Sequence, residues 1–204
     1  MYKKKPVIVF EGIEGSGKSY HINRVASFLK KNKFKYVKFR EPGGNANAEK
    51  IRKLILNSKS TFNKNTDLLL YLAARSENII SIRKSFKNKI ILIDRFTDST
   101  IAYQHYGLGV NLDIIKKINN FILKNLEIDF TFLNIVNMKN MKSRLKKRKS
   151  LNRYDSFNTN FYNKVQNGFL RLAKKDIKRY KIIDSNKDKD KNRFIIIEKI
   201  KKLI

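Results

Sequence analysis

Residues 12–19 read Gly-Ile-Glu-Gly-Ser-Gly-Lys-Ser, which is the pattern G-x-x-x-x-G-K-[ST]. The apolar run before it, Pro6-Val7-Ile8-Val9-Phe10, predicts a buried strand, and the residues from Tyr20 onward predict a helix. A strand, a glycine loop and a helix start together form a phosphate cradle, because the N–H groups of the loop and of the helix start point at the anion. The sequence therefore predicts a binding site for a nucleoside triphosphate.

Individual residues of this loop have distinct predicted tasks. Lys18 would place a positive charge on the β and γ phosphates, and the Ser19 hydroxyl would coordinate Mg²⁺. The three glycines leave the backbone open to the phosphate oxygens. The predicted nucleotide-binding loop comprises Gly12, Ile13, Glu14, Gly15, Ser16, Gly17, Lys18 and Ser19.

The composition is that of one soluble domain. The chain has 204 residues, of which 41% are hydrophobic, and this is enough for a single core. We find no apolar run as long as a membrane span, and the first strand is too short for a signal peptide. Cysteine is absent, which excludes disulfides and thiolate metal sites. We expect a cytoplasmic protein without a membrane partner.

The net charge of +30 raises the question of nucleic-acid binding. Lysines are spread along nearly the whole chain, together with abundant Asn and Ile, which favours a general compositional bias over a dedicated binding face. We therefore expect no specific nucleic-acid partner, although a nucleic-acid-binding ATPase remains an alternative. Residues 139–153 differ from the rest, because they carry eight basic residues and no acidic one.

The hydrophobic pattern alternates between short strands and longer helices. This alternation predicts one three-layer α/β domain, with a five-stranded parallel sheet that binds ligands at the carboxyl ends of its strands. The strands are predicted at 6–11, 36–40, 89–94, 130–136 and 180–184. The helices are predicted at 18–31, 46–57, 66–87, 98–106, 112–125, 138–148, 157–177 and 191–203.

Three further groups of residues follow strands or share a helix face. Asp94-Arg95 ends a strand, where the carboxylate could hold Mg²⁺ and the guanidinium a phosphate, or where the aspartate could simply cap a helix. The segment 40–44, Arg-Glu-Pro-Gly-Gly, predicts a rigid turn, with either a cis or a trans peptide before Pro42. Tyr71 and Arg75 stand four residues apart on one helix face and could hold a planar base. Alternatively, Tyr71 could pack in the core and Arg75 could lie on the surface.

Taken in order and spacing, these motifs resemble those of the thymidylate kinase family, in its bacterial form. The likeness covers about residues 5 to 185. Its motifs are Phe10-Glu11 with the glycine loop, Arg40-Glu41-Pro42-Gly43-Gly44, Leu70-Tyr71-Leu72-Ala73-Ala74-Arg75, Asp94-Arg95 with Ser99 and Ala102-Tyr103-Gln104, Arg153-Tyr154-Asp155, and the segment 168–173.

The resemblance implies a P-loop nucleoside monophosphate kinase that transfers the γ-phosphoryl group of ATP to dTMP, with Mg²⁺ held by Ser19 and Asp94. It implies catalytic roles for Lys18, Asp94, Arg95 and Glu14, with Glu14 on the metal or sugar side of the site rather than acting as a base. The remaining acceptor contacts that it implies are Arg40 and Pro42 on the phosphate side, and Tyr71, Arg75, Ser99, Tyr103 and Gln104 on the base and deoxyribose side.

The basic segment resembles the family's mobile lid, at about 143–156. Some relatives carry the arginine that stabilises the transferring phosphoryl group inside the glycine loop, but this chain has Gly15 at that position. The resemblance therefore implies that the lid supplies the charge, from Arg153 with Arg144 and Arg148 as companions on the ATP side. It also implies a homodimer. The nearest alternative is a kinase of another nucleotide, because only the resemblance assigns the base contacts to thymine.

Overall fold

A five-stranded parallel sheet forms the centre of the computed structural model, which describes residues 5–85, 87–148 and 152–204. The strand order is β2-β3-β1-β4-β5, so each parallel neighbour is reached through a helical crossover. This arrangement confirms the predicted fold class. The strands are β1 (Val7–Glu11), β2 (Tyr36–Arg40), β3 (Ile90–Asp94), β4 (Phe130–Ile135) and β5 (Tyr180–Asp184).

Eight helices cover the two faces of the sheet in the described part of the chain. α4 continues directly into a π-helical segment, Ile101–Gly107, and a short 3₁₀ turn, Arg153–Ser156, precedes α7. The helices are α1 (Lys18–Lys31), α2 (Ala46–Leu56), α3 (Lys64–Ser85), α4 (Thr97–Thr100), α5 (Leu112–Leu123), α6 (Met138–Lys146), α7 (Thr159–Lys175) and α8 (Lys189–Lys201).

The continuously apolar strand β1 lies in the middle of the sheet. β1 is buried along its whole length, with β3 on one side and β4 on the other, and its side chains pack into cores on both faces. A strand covered on both faces cannot alternate with polar residues, which explains the continuous apolar run in the sequence.

The structure differs from the predicted elements at several boundaries and in two places. The pattern at 98–106 is a short α-helix followed by the π-helix, since a 3.6-residue periodicity does not reveal the wider turn. The helix predicted at 138–148 ends at Lys146, and the 3₁₀ turn was not predicted. The predicted lid includes residues 149–151, which lie outside the described residues. Among the helices described, none is long and apolar enough to cross a membrane.

The strand register brings three loops together at one edge of the sheet. Asp94 pairs with Phe10 on β1 and with Arg40 on β2, so the loops that follow these three strands begin side by side. The peptide bond between Glu41 and Pro42 in the second loop is cis. The glycine loop after β1 also approaches β4, because a Cβ added to Gly12 would lie 2.1 Å from the carbonyl oxygen of Asn134.

This close approach predicts that Gly12→Ala destabilises the fold strongly. The added methyl group would meet the β4 backbone at 2.1 Å, and Gly12 has φ of 139°, a conformation that L-residues rarely adopt. We expect a loss of about 3 kcal/mol or more in the free energy of unfolding, measured by urea denaturation. Gly109→Ala is the matched control, since Gly109 has φ of 72° but no atom within 4 Å of the added Cβ. It should cost only about 1 kcal/mol, and equal losses would contradict the steric explanation.

Candidate active site

A cleft of about 230 Å³ opens at the carboxyl edge of the sheet, where the three loops meet. It brings together most of the side chains that the sequence predicts for the site. The predicted residues that border the cleft are Glu14, Lys18, Ser19, Arg40, Pro42, Tyr71, Arg75, Asp94, Arg95, Ser99, Tyr103, Gln104 and Arg148.

The glycine loop wraps around the ammonium group of Lys18. Lys18 Nζ donates to the carbonyl oxygens of Gly12 at 2.8 Å and Ile13 at 2.9 Å, and its side chain is buried. Helix α1 begins at Lys18, and its N-cap, Gly17, has no side chain to occupy the first N–H groups. Those donors and the ammonium group therefore face the same place, which suits a polyphosphate. Burial and the nearby charge of Arg95 lower the pKa of Lys18 to about 7.

Arg95 and Glu14 form an ion pair on the wall between the glycine loop and the rest of the cleft. Arg95 has φ of 64°, and its guanidinium donates to Glu14 Oε1 at 2.7 Å and to the Gly12 carbonyl oxygen at 2.8 Å. The other oxygen of Glu14 accepts the hydroxyl of Tyr103. Burial alone would raise the pKa of Glu14, but the charges of Arg95 and Lys18 outweigh it and lower the pKa. Both charges are therefore present beside the loop.

Arg75 is fully buried and also lines the cleft. Its guanidinium donates twice to Glu41, at 2.8 and 2.6 Å, once to Asn119 and once to the hydroxyl of Thr100 at 2.9 Å. Only 1% of the Arg75 side chain is exposed, so the surface alternative is excluded. Tyr71, one helical turn earlier, is half-buried and meets the ring of Tyr154 edge to face at 6.0 Å. An aromatic ring and a guanidinium thus line the same compartment.

Ser19 and Asp94 form the pair expected for a metal ion. The Ser19 hydroxyl donates to Asp94 Oδ2 at 3.2 Å, which places one hydroxyl and one carboxylate oxygen next to the phosphate cradle. In the described residues there is no cluster of three or more His, Cys, Asp and Glu side chains that could hold a metal without other ligands. Two oxygen donors fit Mg²⁺, which usually takes few protein ligands and completes its shell with water and phosphate.

Two arginines on the β2 side of the cleft stand near the rigid turn. Arg40 is paired with Glu49 at 2.9 Å, and its side chain is 56% exposed. Arg52 of α2 donates to the Pro42 carbonyl oxygen at 2.6 Å and also borders the cleft. Their guanidinium groups provide positive charge to the same cleft that Tyr71 lines.

The three lid arginines occupy different positions. Arg144 clamps the glycine loop, donating to the carbonyl oxygens of Gly15 at 2.8 Å and Ser185 at 2.6 Å. Arg148 borders the cleft and is paired with Asp155 at 2.7 Å. Arg153 is not among the cleft-lining side chains in this conformation, since its guanidinium is bound to Asp67 and stacks on the ring of Tyr154.

Comparison with known proteins agrees with this geometry. The family model described as thymidylate kinase matches residues 10–195. The chain belongs to the thymidylate kinase family.

Relatives of this family match nearly the full chain. The thymidylate kinase of Mycoplasma capricolum is 38% identical over 95% of each chain, and that of Kosmotoga olearia is 33% identical over 90% of this chain and 89% of its own. The crystal structure of thymidylate kinase from Ehrlichia chaffeensis superposes with a TM-score of 0.78 at 30% identity, over 98% of this chain and 99% of its own. The predictions of a P-loop kinase fold and of a thymidylate kinase are confirmed.

Several residues of this thymidylate kinase site were missed by the sequence predictions. Arg52 lies between Lys50 and Lys53 in α2, and the sequence does not show which of these three cations borders the cleft. Asp67 and Thr100 act through partners that are distant in the sequence. Glu11 could have been predicted, because it is an acidic residue at the end of an apolar strand, as Asp94 is.

Glu11 fixes the turn that carries Arg95. Its carboxyl group, fully buried, accepts the backbone N–H groups of Phe96 at 2.8 Å and Ser99 at 3.1 Å, and the Ser99 hydroxyl at 2.5 Å. Because Phe96 is the N-cap of α4, Glu11 caps this helix from the neighbouring strand. Burial, followed by the nearby Asp98, raises the pKa of Glu11 from 4.5 to about 7.

The raised pKa predicts a stability difference that depends on pH. Between about pH 5 and 7 the folded protein retains a proton on Glu11 that the unfolded chain releases, so this carboxyl lowers the free energy of unfolding as the pH rises. Glu11→Gln keeps an acceptor and a donor but cannot ionise. Urea unfolding should therefore show the variant gaining stability relative to wild type from about pH 5 to about pH 8. Glu127→Gln, at an exposed site, is the control. A parallel pH dependence of wild type and Glu11→Gln would disprove the assignment.

Proposed function

We propose that the protein transfers the γ-phosphoryl group of ATP to dTMP, giving dTDP and ADP. The observation that carries this proposal is a single cleft with two chemically different sets of lining residues. Lys18 belongs to a phosphate cradle, whereas Tyr71 and Arg75 supply an aromatic ring and a guanidinium. Arg95 lines the same cleft, and we assign it to the place where the acceptor phosphate would meet the donor.

The acceptor would enter with its base in the inner compartment. Tyr71 supplies an aromatic edge, and Arg75 supplies a guanidinium whose position is fixed by Glu41. The phosphate group would then lie between Arg95 and the arginines at the cleft mouth, Arg40 and Arg52. We assign Pro42, Ser99, Tyr103 and Gln104 to the remaining acceptor contacts.

The donor would place its phosphates on the glycine loop. We propose that Ser19 and Asp94 hold Mg²⁺, which when bound neutralises charge on the β and γ phosphates. In the transfer, an oxygen of the dTMP phosphate bonds to the γ-phosphorus, and the bond from that phosphorus to the bridging oxygen of ADP breaks. Lys18 and Arg95 would stabilise the charge on the transferring group, and Glu14 would hold Arg95 in position.

Measuring ADP release with a panel of nucleoside monophosphates tests the function. We expect a higher kcat/KM for dTMP than for dCMP, dGMP or AMP, because Tyr71 and Arg75 form a base-reading pair whose ring can stack on thymine and whose guanidinium donates to a thymine carbonyl oxygen. Lys18→Ala should lower kcat by roughly 10²-fold or more with the fold intact by circular dichroism. Lys84→Ala, a change at the exposed end of α3, serves as control. Equal turnover of all four acceptors would refute dTMP as the substrate.

We further propose that residues 143–156 form a lid over the transferring group. Gly15 leaves the glycine loop without an arginine, while Arg148 borders the cleft and Arg144 holds the loop from α6. Arg153 would join the reacting phosphates once its guanidinium leaves Asp67. Arginines that approach only when donor and acceptor are present would act mainly in the transition state.

Single substitutions in the lid should separate this role from a diffuse positive field. Arg148→Ala and Arg153→Ala should each lower kcat by roughly 10²-fold or more while changing the KM for dTMP little, as measured by steady-state kinetics. Lys147→Ala is the matched control, since Lys147 is an exposed cation next to Arg148 that does not border the cleft. A loss of similar size in all three variants would mean that the segment acts only through its total charge.

We also propose that the protein is a homodimer, formed through the outer face of α3. Leu69, Ala73, Ser76 and Ile80 form one exposed stripe of this helix, and none of them is charged although the chain carries 47 basic residues. Leu69 and Ile80 are 56% and 57% exposed and flank two small residues. A two-fold axis at the middle of the stripe would set Leu69 of one copy against Ile80 of the other, with the small residues allowing close approach.

Size-exclusion chromatography with light scattering tests the dimer. Ile80→Glu should convert the protein to a monomer, because two carboxylates would be buried in one symmetric interface. Phe194→Glu, at a residue of α8 that is 68% exposed, should leave the mass unchanged. A monomeric wild type would show the proposal to be wrong.

A further inference from the structure

Asp67 is a buried carboxylate that connects a cleft residue to the lid. Only 2% of Asp67 is exposed, and it does not border the cleft. Its Oδ2 accepts from Gln104 Nε2 at 3.1 Å and from the Tyr154 hydroxyl at 2.5 Å, while its Oδ1 accepts from the guanidinium of Arg153. Gln104 itself does border the cleft and is 1% exposed.

This carboxylate determines which way the Gln104 amide faces. A carboxylate paired with a guanidinium only accepts hydrogen bonds, so the amide nitrogen of Gln104 must face Asp67. The amide oxygen is then turned away from it, and Gln104 Oε1 is a buried acceptor that has no partner in the described part of the chain. A buried acceptor without a partner is costly, which indicates that a ligand supplies the missing donor.

A hydrogen-bond donor stands in the same compartment. Arg75 Nη1 gives one hydrogen to Asn119, and a guanidinium nitrogen of this kind has a second. The compartment therefore offers a donor from Arg75 and an acceptor from Gln104. A thymine or uracil ring presents the complementary pair, a carbonyl oxygen beside an imide N–H, whereas cytosine presents an amino group beside an unprotonated ring nitrogen.

We propose that Asp67 is a specificity-determining positioning residue, which selects a pyrimidine imide over cytosine by fixing the orientation of the Gln104 amide. The inference rests on the proposed function, because it concerns the base of the same acceptor nucleotide. Asp67 does not touch the base. It acts through Gln104, whose oxygen accepts the imide N–H and whose orientation rejects the lone pair of the cytosine ring nitrogen.

Asp67→Asn tests the orientation directly. Asparagine has one oxygen. While the acceptor binds, before Arg153 leaves position 67 for the phosphates, the permanent charge of Arg153 attracts that oxygen, so the amide nitrogen of the new side chain faces Gln104. The Gln104 amide would then turn over and present its nitrogen to the cleft. We expect the ratio of kcat/KM for dTMP to that for dCMP to fall by about tenfold or more. Weakened lid anchoring by Arg153 would lower both activities together and so leave this ratio unchanged.

A rescue variant and a matched control complete the experiment. In Asp67→Asn/Gln104→Glu, both oxygens of the carboxylate at position 104 are acceptors. One can accept from the amide of Asn at position 67 and the other from the imide N–H of the base, so the preference for dTMP should return. Asp98→Asn is the control, since Asp98 is 5% exposed and, like Asp67, accepts from an arginine and a tyrosine, Arg179 and Tyr180. It should leave the dTMP/dCMP ratio as in wild type, whatever its effect on stability.

The outcomes separate this inference from the proposed function. A wild-type protein that does not phosphorylate dTMP refutes the proposed function. A wild type that prefers dTMP, combined with an unchanged ratio in Asp67→Asn, overturns the role of Asp67. It points instead to Glu41 Oε1, which among the described residues is the other buried cleft acceptor without a partner. A lowered ratio in Asp67→Asn that the double variant does not restore also overturns it.

Discussion

Ion pairs between arginines and carboxylates hold the shape of the cleft. A site for two polyanions needs many cations close together, and those cations repel one another unless counter-charges separate them. The chain has only 17 acidic residues against 47 basic ones, yet five of the cleft and lid arginines are each paired with an acid. The pairs are Arg40–Glu49, Arg75–Glu41, Arg95–Glu14, Arg148–Asp155 and Arg153–Asp67.

The exposure of these pairs divides them into two kinds. The Arg75–Glu41 pair is 1% and 4% exposed, so separating its charges would leave one of them buried without a partner. The Arg40–Glu49 pair is 56% and 35% exposed, and water can replace either partner at little cost. Buried pairs therefore fix the compartment around Tyr71 and Arg75, whereas exposed pairs leave arginines free to exchange a carboxylate for another anion.

The features that the sequence predicts well depend on neighbours along the chain. The glycine loop, the buried strands and the common face of Tyr71 and Arg75 follow from spacing alone. The partners of these residues do not, since Arg75 meets Glu41 and Asn119, which are remote in sequence. The position of Arg153 depends on Asp67 in the same way, and the π-helix that carries Tyr103 and Gln104 has no signature in a 3.6-residue pattern.

The sheet order also has a consequence for biosynthesis. β1 lies in the middle of the sheet, yet Val7 pairs with Ile91 and Ile8 pairs with Phe130, so both neighbours leave the ribosome long after it. Until then the run Val7–Phe10 is an unpaired apolar segment, of the type that aggregates between nascent chains. The residues just before it, Lys5 and Pro6, are a charge and a residue without a backbone N–H. They discourage strand pairing at that end, and thus protect the segment during translation without weakening the finished sheet.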